Sequence, residues 1–236
     1  MPRLRATLSG KRLQELVTAA LEVFCRRGYE RSQVADVAKV MGVSPGTIYL
    51  YVEGKEALFD LVIRHNASEN SEWLEELKIP VPTPRKGATV EFLREVLDRK
   101  GQWPLLEAAL AARRTSDIRS ELDGVVREQY RLMTRHRAGL VLLTRSALEF
   151  PGLAEVFVLG LRNRLLEHLS RYLKSRIKAG QIRPLADVAA TAAVLTQTIA
   201  WANLQRPFDP GLSAFSEPTI EDSTVDLLVA GLLLPA

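Results

Sequence analysis

The chain has 236 residues, 47% of them hydrophobic and 25% charged, with a net charge of +4, enough to bury a core in one or two domains. A single cysteine, Cys25, excludes an internal disulfide and a cysteine-based zinc cluster. The most apolar stretches, Leu153 to Leu161, Leu185 to Leu204 and Val225 to Leu234, are too short or too polar to span a bilayer, and no apolar region follows the basic N-terminus. A cytoplasmic protein with no membrane partner is expected. The basic balance, with a sequence pI of about 9.3, is compatible with a nucleic-acid partner without requiring one.

Helical periodicity dominates from the start. Arg3, Arg5, Lys11 and Arg12 precede the first acidic residue, Glu15. They read either as a basic arm for phosphates or a minor groove, or as a solvated terminus. Leu13, Leu16, Val17, Ala20, Leu21 and Phe24 fall on one helix face, with Ser9 as expected N-cap and Gly28 as stop. Cys25 reads as a small buried hydrophobe of this helix. A second helix is expected after Ser32, with Val34, Val37, Ala38 and Met41 on one side. Gly42 supplies a turn of positive φ. Ser44 is expected to cap a short third helix with Pro45 at its first position. A fourth runs from Lys55 toward Leu77.

Pro80 to Pro84 is extended, a loop within the larger domain. Helices are then expected at about 85–100, 104–114, 117–149, 153–179 and 185–205. A loop spans 206–218 and a last helix spans 219–234. No alternating strand pattern appears, so the fold class is all-α. The expected domains are residues 1–54, a three-helix helix-turn-helix domain, and 55–236, a larger helical regulatory domain.

At about 100° per residue, Ile48 and Val52 share the inner side of the third helix, while Gly46 and Leu50 point the opposite way. Thr47 and Tyr49 lie on the flanks, where hydroxyls suit phosphates. Leu50 can meet a thymine methyl, and Pro45 and Gly46 permit close approach to base edges. Lys55, opening the fourth helix, suits another phosphate.

The span from Lys11 to Leu61 closely resembles the DNA-binding domain of the tetracycline-repressor (TetR) family. The match runs through Phe24, Gly28-Tyr29, Val34 to Ala38, Gly42-Val43-Ser44, Gly46 to Tyr51 and Lys55 to Leu58. Val52 departs from the aromatic residue usual there, and Glu53-Gly54 replaces a polar-Ser pair. The resemblance implies a DNA interface of Ser44, Pro45, Gly46, Thr47, Tyr49, Leu50, Tyr51 and Lys55. The alternatives are aromatic packing for Tyr49 and Tyr51, and a local hydroxyl bond for Thr47.

The resemblance also implies a C-terminal domain that dimerises through its last two long helices. Val188, Ala192, Leu195 and Ile199, with Val225, Leu228 and Leu232, are the expected dimer face. Packing inside one protomer is the competing reading. An effector pocket is expected between helices of this domain. Its candidate residues are Trp103, Glu107, His136, Glu149, Phe150, Phe157, Asn163, His168, Gln197 and Trp201, each also readable as ordinary core or surface. The expected partners are double-stranded operator DNA, a second copy of the chain and a small hydrophobic or amphipathic effector. Neither cofactor nor metal is expected. No phosphate loop, His-Glu-x-x-His pair or nucleophile elbow is present, and the histidines 65, 136 and 168 are scattered, which argues against an enzyme. The function expected is a homodimeric repressor; an activator or a regulator gated by a protein partner remains the alternative.

Overall fold

A computed structural model describes residues 2–68, 70–147 and 149–234, without the side chains of residues 2–9 and 151. The arm expected of Arg3 and Arg5 therefore lies outside the described side chains. The described residues are helical apart from connections and one isolated bridge, as the absence of strand patterning predicts. None of the helices among them is long and apolar enough to cross a membrane. The chain forms two compact units, one of residues 1–100 and 138–158, the other of 101–137 and 159–236.

The first unit contains α1 (Pro2–Arg27), α2 (Val34–Met41), α3 (Pro45–Ile48), α4 (Lys55–Ala67) and α5 (Ala88–Lys100). α1 begins earlier than Ser9, so no cap stands there. Leu13, Leu16, Val17, Ala20 and Phe24 are buried as their spacing requires. They meet Leu58, Leu61 and Val62 of α4, which extends this core beyond residue 54. Phe24, Tyr29, Phe59 and Phe150 form its aromatic centre, with Phe24 and Phe59 edge to face at 5.2 Å and Tyr29 and Phe150 at 5.2 Å. Cys25 is buried in the same unit, and burial pushes its thiol up to about 12, against a role as a reactive thiolate.

α4 stops at Ala67, ten residues short of the expected end. Asn66, Ser68, Asn70 and Ser71 crowd this point, and their short polar side chains bond the backbone in competition with helix. Ser68 Oγ and the Asn66 amide indeed turn back onto the Arg64 and Val62 carbonyls at 3.0 and 2.9 Å. Farther on, Asp60 is buried and accepts from Arg64 Nε at 2.7 Å and Thr89 Oγ1 at 2.8 Å, which fixes α5 on α4.

The second unit contains α6 (Pro104–Ala111), α7 (Ile118–Arg135), α10 (Asn163–Lys178), α11 (Val188–Leu204), α12 (Pro210–Ser213) and α13 (Glu217–Leu232). The single helix expected over 117–149 is interrupted at His136, giving α7 and then α8 (Arg137–Ser146). Thr134 donates back to the Tyr130 carbonyl at 3.2 Å one turn before the break, a bond that bends helices. The helix expected from 153 starts at α9 (Pro151–Leu153) and passes through a π-helical stretch, Ala154–Arg162, before α10. In the loop expected at 206–218, Asp209 caps α12 with Pro210 in its first turn. Ser216 caps α13 with Pro218 in the first turn, so the last helix begins at Glu217.

α7 is the hub of this unit. Asn203 of α11, fully buried, donates to the Tyr130 carbonyl at 3.1 Å and to Thr134 Oγ1 at 2.6 Å. Glu217 at the start of α13 accepts from Tyr130 Oη at 3.0 Å and Arg137 Nη2 at 2.5 Å. Arg176 of α10 is wholly buried and grips Glu121 of α7 through two bonds of 2.7 and 3.0 Å. Its remaining donors reach the Ala109 and Ala112 carbonyls that end α6, at 2.7 and 3.0 Å. One guanidinium thus joins three helices.

Candidate nucleic-acid interface

Gly28 and Gly42 make the turns that aim the helix-turn-helix. Gly28 has φ 78°, and a Cβ there would stand 3.0 Å from the Arg145 carbonyl oxygen and from Glu149 Oε2. Gly42 has φ 67° and ends α2 through bonds onto Ala38 and Lys39. At its other end α2 is capped by its own Asp36, which accepts from the Gln33 amide at 3.0 Å. Ser44 takes the cap position of α3 but makes no bond to a backbone N–H; its hydroxyl pairs with Thr47 Oγ1 at 3.0 Å instead.

α3 is a single turn. Beyond Ile48 the chain tightens, with the Leu50 and Tyr51 amides bonding the carbonyls three residues back at 3.3 and 2.9 Å. Ile48 and Val52 are buried, which drives the intervening residues outward. Tyr49 is 51% exposed and Leu50 66%. Ser44, Pro45 and Gly46 are exposed, while Thr47 and Tyr51 are half-buried. A Cβ on Gly46 would touch little beyond the Ser44 hydroxyl at 3.8 Å. A single turn therefore offers a hydroxyl-bearing ring, a leucine and a bare backbone face to one side, which suits base edges and flanking phosphates.

Lys55 differs from the rest. Its ammonium donates to the Tyr29 and Glu30 carbonyls at 3.1 and 3.3 Å and lies 4.3 Å from the centre of the Tyr29 ring. It pins the turn that follows α1 through charge-assisted bonds to two loop carbonyls and a contact with the Tyr29 ring. Replacing Lys55 by Met removes these charge-assisted bonds and is expected to cost the fold about 1–3 kcal/mol, read as a lower midpoint in urea. An unchanged midpoint would show that the lysine is needed only outside the fold.

The effector candidates are divided between the two units. Glu149 is tied to the exit of α1, accepting from Arg31 Nε at 3.1 Å and the Glu30 amide at 3.3 Å. Phe150 belongs to the aromatic centre of the first unit, and Phe157, half-buried, lies in that unit too. In the second unit Trp103 is in the core, edge to face with the ring of His168 at 6.0 Å. His136 is half-buried at the end of α7. Glu107, Asn163, Gln197 and Trp201 are exposed, so Trp201 cannot wall a buried cavity with Trp103. Buried polar residues of the second unit escaped the sequence reading, Gln129 and Thr196 among them. Gln129 Nε2 and Thr196 Oγ1 have no hydrogen-bond partner among the described residues, although their residues are only 5% and 4% exposed. Neither is marked by any local sequence pattern.

The expected dimer residues lie within their own unit. Ala192, Leu195, Ile199, Val225, Leu228 and Leu232 are buried in the core of their own unit, and Val188 packs against it. They hold one protomer together. The outward face of α11 instead shows Ala190, Val194, Gln197 and Trp201, and that of α13 shows Leu227 and Ala230, with Leu234 exposed just beyond its end. Val194, Trp201 and Leu227 are 62%, 56% and 67% exposed, an unusual apolar load for solvated helix faces.

Comparison with known proteins bears on both regions. The family described as "Bacterial regulatory proteins, tetR family" matches residues 16–62, the helix-turn-helix and the start of α4. The "Fatty acid metabolism regulator protein" of Bacillus subtilis (strain 168) is 39% identical over 62 residues, 26% of this chain and 32% of that protein. The chain spans about a third of the length of the curated relatives it matches. Across the whole fold it is similar to the ketosteroid transcriptional regulator KstR2 of Mycobacterium tuberculosis, with a TM-score of 0.57, 17% identity, and 95% of this chain and 96% of that one covered. AibR, solved in complex with isovaleryl coenzyme A and operator DNA, is similar at a TM-score of 0.50 and 16% identity, covering 95% of this chain and 100% of that one.

Proposed function

We propose, on the premise that the chain belongs through residues 16–62 to the tetR family of bacterial regulatory proteins, that it is a ligand-responsive DNA-binding transcription regulator, a cytoplasmic homodimeric repressor and not an enzyme. Residues 1–54 read DNA and residues 55–236 regulate. The observation that carries this is the outward display of Tyr49 and Leu50 on a turn anchored by buried Ile48 and Val52. In this reading Thr47, Tyr49 and Tyr51 meet phosphates with Ser44 beside them, while Pro45, Gly46 and Leu50 approach base edges.

Dimerisation uses the outward faces of α11 and α13. Exposed Val194, Trp201, Leu227 and Leu234 support it, and small residues at 230 and 231 allow close helix approach. Two such reading heads sit about 34 Å apart on a pseudo-palindrome. The effector is amphipathic. Its apolar body suits the core around Trp103 and Tyr130, and its polar groups satisfy Gln129 Nε2 and Thr196 Oγ1. AibR's complex with an acyl-coenzyme A and operator DNA supports an effector of that character. An effector that prefers the wrong spacing of the heads weakens DNA binding by its coupling energy, about 1–3 kcal/mol.

Titration onto labelled DNA from upstream of its own gene, against excess mixed-sequence competitor, tests the DNA reading; binding no tighter than to competitor counts against it. With the operator defined, Leu50→Ala is expected to relax preference at one position of each half-site by about 1–3 kcal/mol. Operator selection with the variant checks this, and an unchanged profile would remove Leu50 from the base-reading set.

A further inference from the structure

Between α4 and α5 the chain returns to the exit of the helix-turn-helix. Val81 forms an isolated parallel bridge with Val52. Its amide donates to the Tyr51 carbonyl at 2.7 Å and its carbonyl accepts from the Glu53 amide at 3.0 Å. The Thr83 amide donates to Glu53 Oε2 at 2.8 Å. The bonds come from the odd-numbered residues, and prolines fill 80, 82 and 84. Each proline fixes φ, so the segment reaches this extended form with little conformational entropy to lose. A short, stiff strand is thereby fastened to the residues that leave the reading turn.

Its charge is one-sided. Lys78, Arg85 and Lys86 are exposed, and no acidic residue lies between Leu77 and Val90. Arg85 pairs with Glu91. Lys78 and Lys86 make no ion pair among the described residues. The nearest acid in the bridge, Glu53, has its carboxylate turned onto the Thr83 amide. Two lysines without an ion pair among the described residues thus flank a segment whose middle, Val81 and Thr83, is bonded to Tyr51 and Glu53.

We infer that the segment from Lys78 to Lys86 is a second nucleic-acid contact of the first unit, outside the reading residues 1–54, a strand whose two lysines grip phosphates flanking those met by Tyr49 and Tyr51. The inference rests on the DNA-binding reading above. The contact is sequence-independent: it adds affinity and fixes register without reading bases. A phosphate contact adds about 0.9 to the slope of log affinity against log salt, so losing two lowers the slope by about 1.8 and weakens binding about thirtyfold at roughly 0.15 M salt.

The test is fluorescence anisotropy of the full chain on a labelled mixed-sequence duplex of about forty base pairs, from roughly 0.05 to 0.3 M salt. Lys78→Gln/Lys86→Gln is compared with the parent and with Lys174→Gln/Lys178→Gln, which removes two exposed charges from α10. The expected result is a shallower slope and weaker binding for the first pair alone, with both variants melting like the parent. Equal slopes for all three proteins overturn the inference and leave the strand a structural brace. Equal losses in both variants overturn it too, as an effect of net charge. A parent that fails to bind duplex even at the lowest salt removes the DNA reading itself.

Discussion

Replacing Arg176 by Met is expected to destabilise the second unit by about 3 kcal/mol, the cost of leaving a half-buried carboxylate without its partner and two α6 carbonyls uncapped. In a chain of this size that lowers Tm by roughly 10 °C. The guanidinium is fully buried, holds both oxygens of Glu121 and caps two carbonyls at the end of α6. The Tyr172 hydroxyl also donates to Glu121, at 3.0 Å, so the loss would leave it sharing a charge with no counterion. Adding Glu121→Gln should recover part of the loss, because the stranded charge goes while the α6 carbonyls stay uncapped. Differential scanning calorimetry of both variants measures this. A shift in the single variant worth under about 1 kcal/mol would mean that solvent reaches the pair and screens it.

Leu227 and Leu228 are neighbours in sequence and should give opposite results. Leu227 is 67% exposed on the outer face of α13 and Leu228 is 9% exposed in the core. Leu227→Asp is expected to yield a folded monomer with its melting transition retained and its operator affinity lost, since two half-sites can no longer be held at once. Leu228→Asp buries a charge with no partner and is expected to abolish cooperative unfolding of that unit. Sedimentation velocity and circular dichroism separate the two outcomes. A Leu227→Asp protein still dimeric at micromolar concentration would move the interface elsewhere.

These neighbours also mark where sequence reasoning stops. The helix-turn-helix was legible because its signals are local: Gly42 for a positive φ, Pro45 for a first turn, apolar spacing that buries Ile48 and exposes Leu50. α11 and α13 carry no such contrast. α11 and the end of α13 from Leu227 are apolar nearly all round, so periodicity identifies helices without telling which side meets the protomer's own core and which faces out. The dimer face was accordingly assigned to residues that turned out to be interior. The internal partners of Lys55 were hidden for a related reason. Its place at the opening of α4 suits a phosphate, and the Tyr29 and Glu30 carbonyls it also bonds come from 26 and 25 residues away. The bridge from Val81 to Val52 was equally hidden, because a proline-rich stretch signals extended chain without naming its partner. The strongest sequence evidence for helix ends was also the most easily overridden: prolines 210 and 218, read as loop, open helices once Asp209 and Ser216 cap them.

The same alternation of prolines has a consequence for solubility. An exposed strand in an otherwise helical protein is a hazard, since unpaired N–H groups along its outer edge can recruit another chain. Here the amides of Val81 and Thr83 point inward and are already bonded. On the opposite edge, residues 80, 82 and 84 have no N–H to offer. A second strand approaching that edge finds no donors in register, so the pairing that fixes this segment cannot propagate into fibrils. One short stretch is thereby both firmly attached on one side and unreceptive on the other.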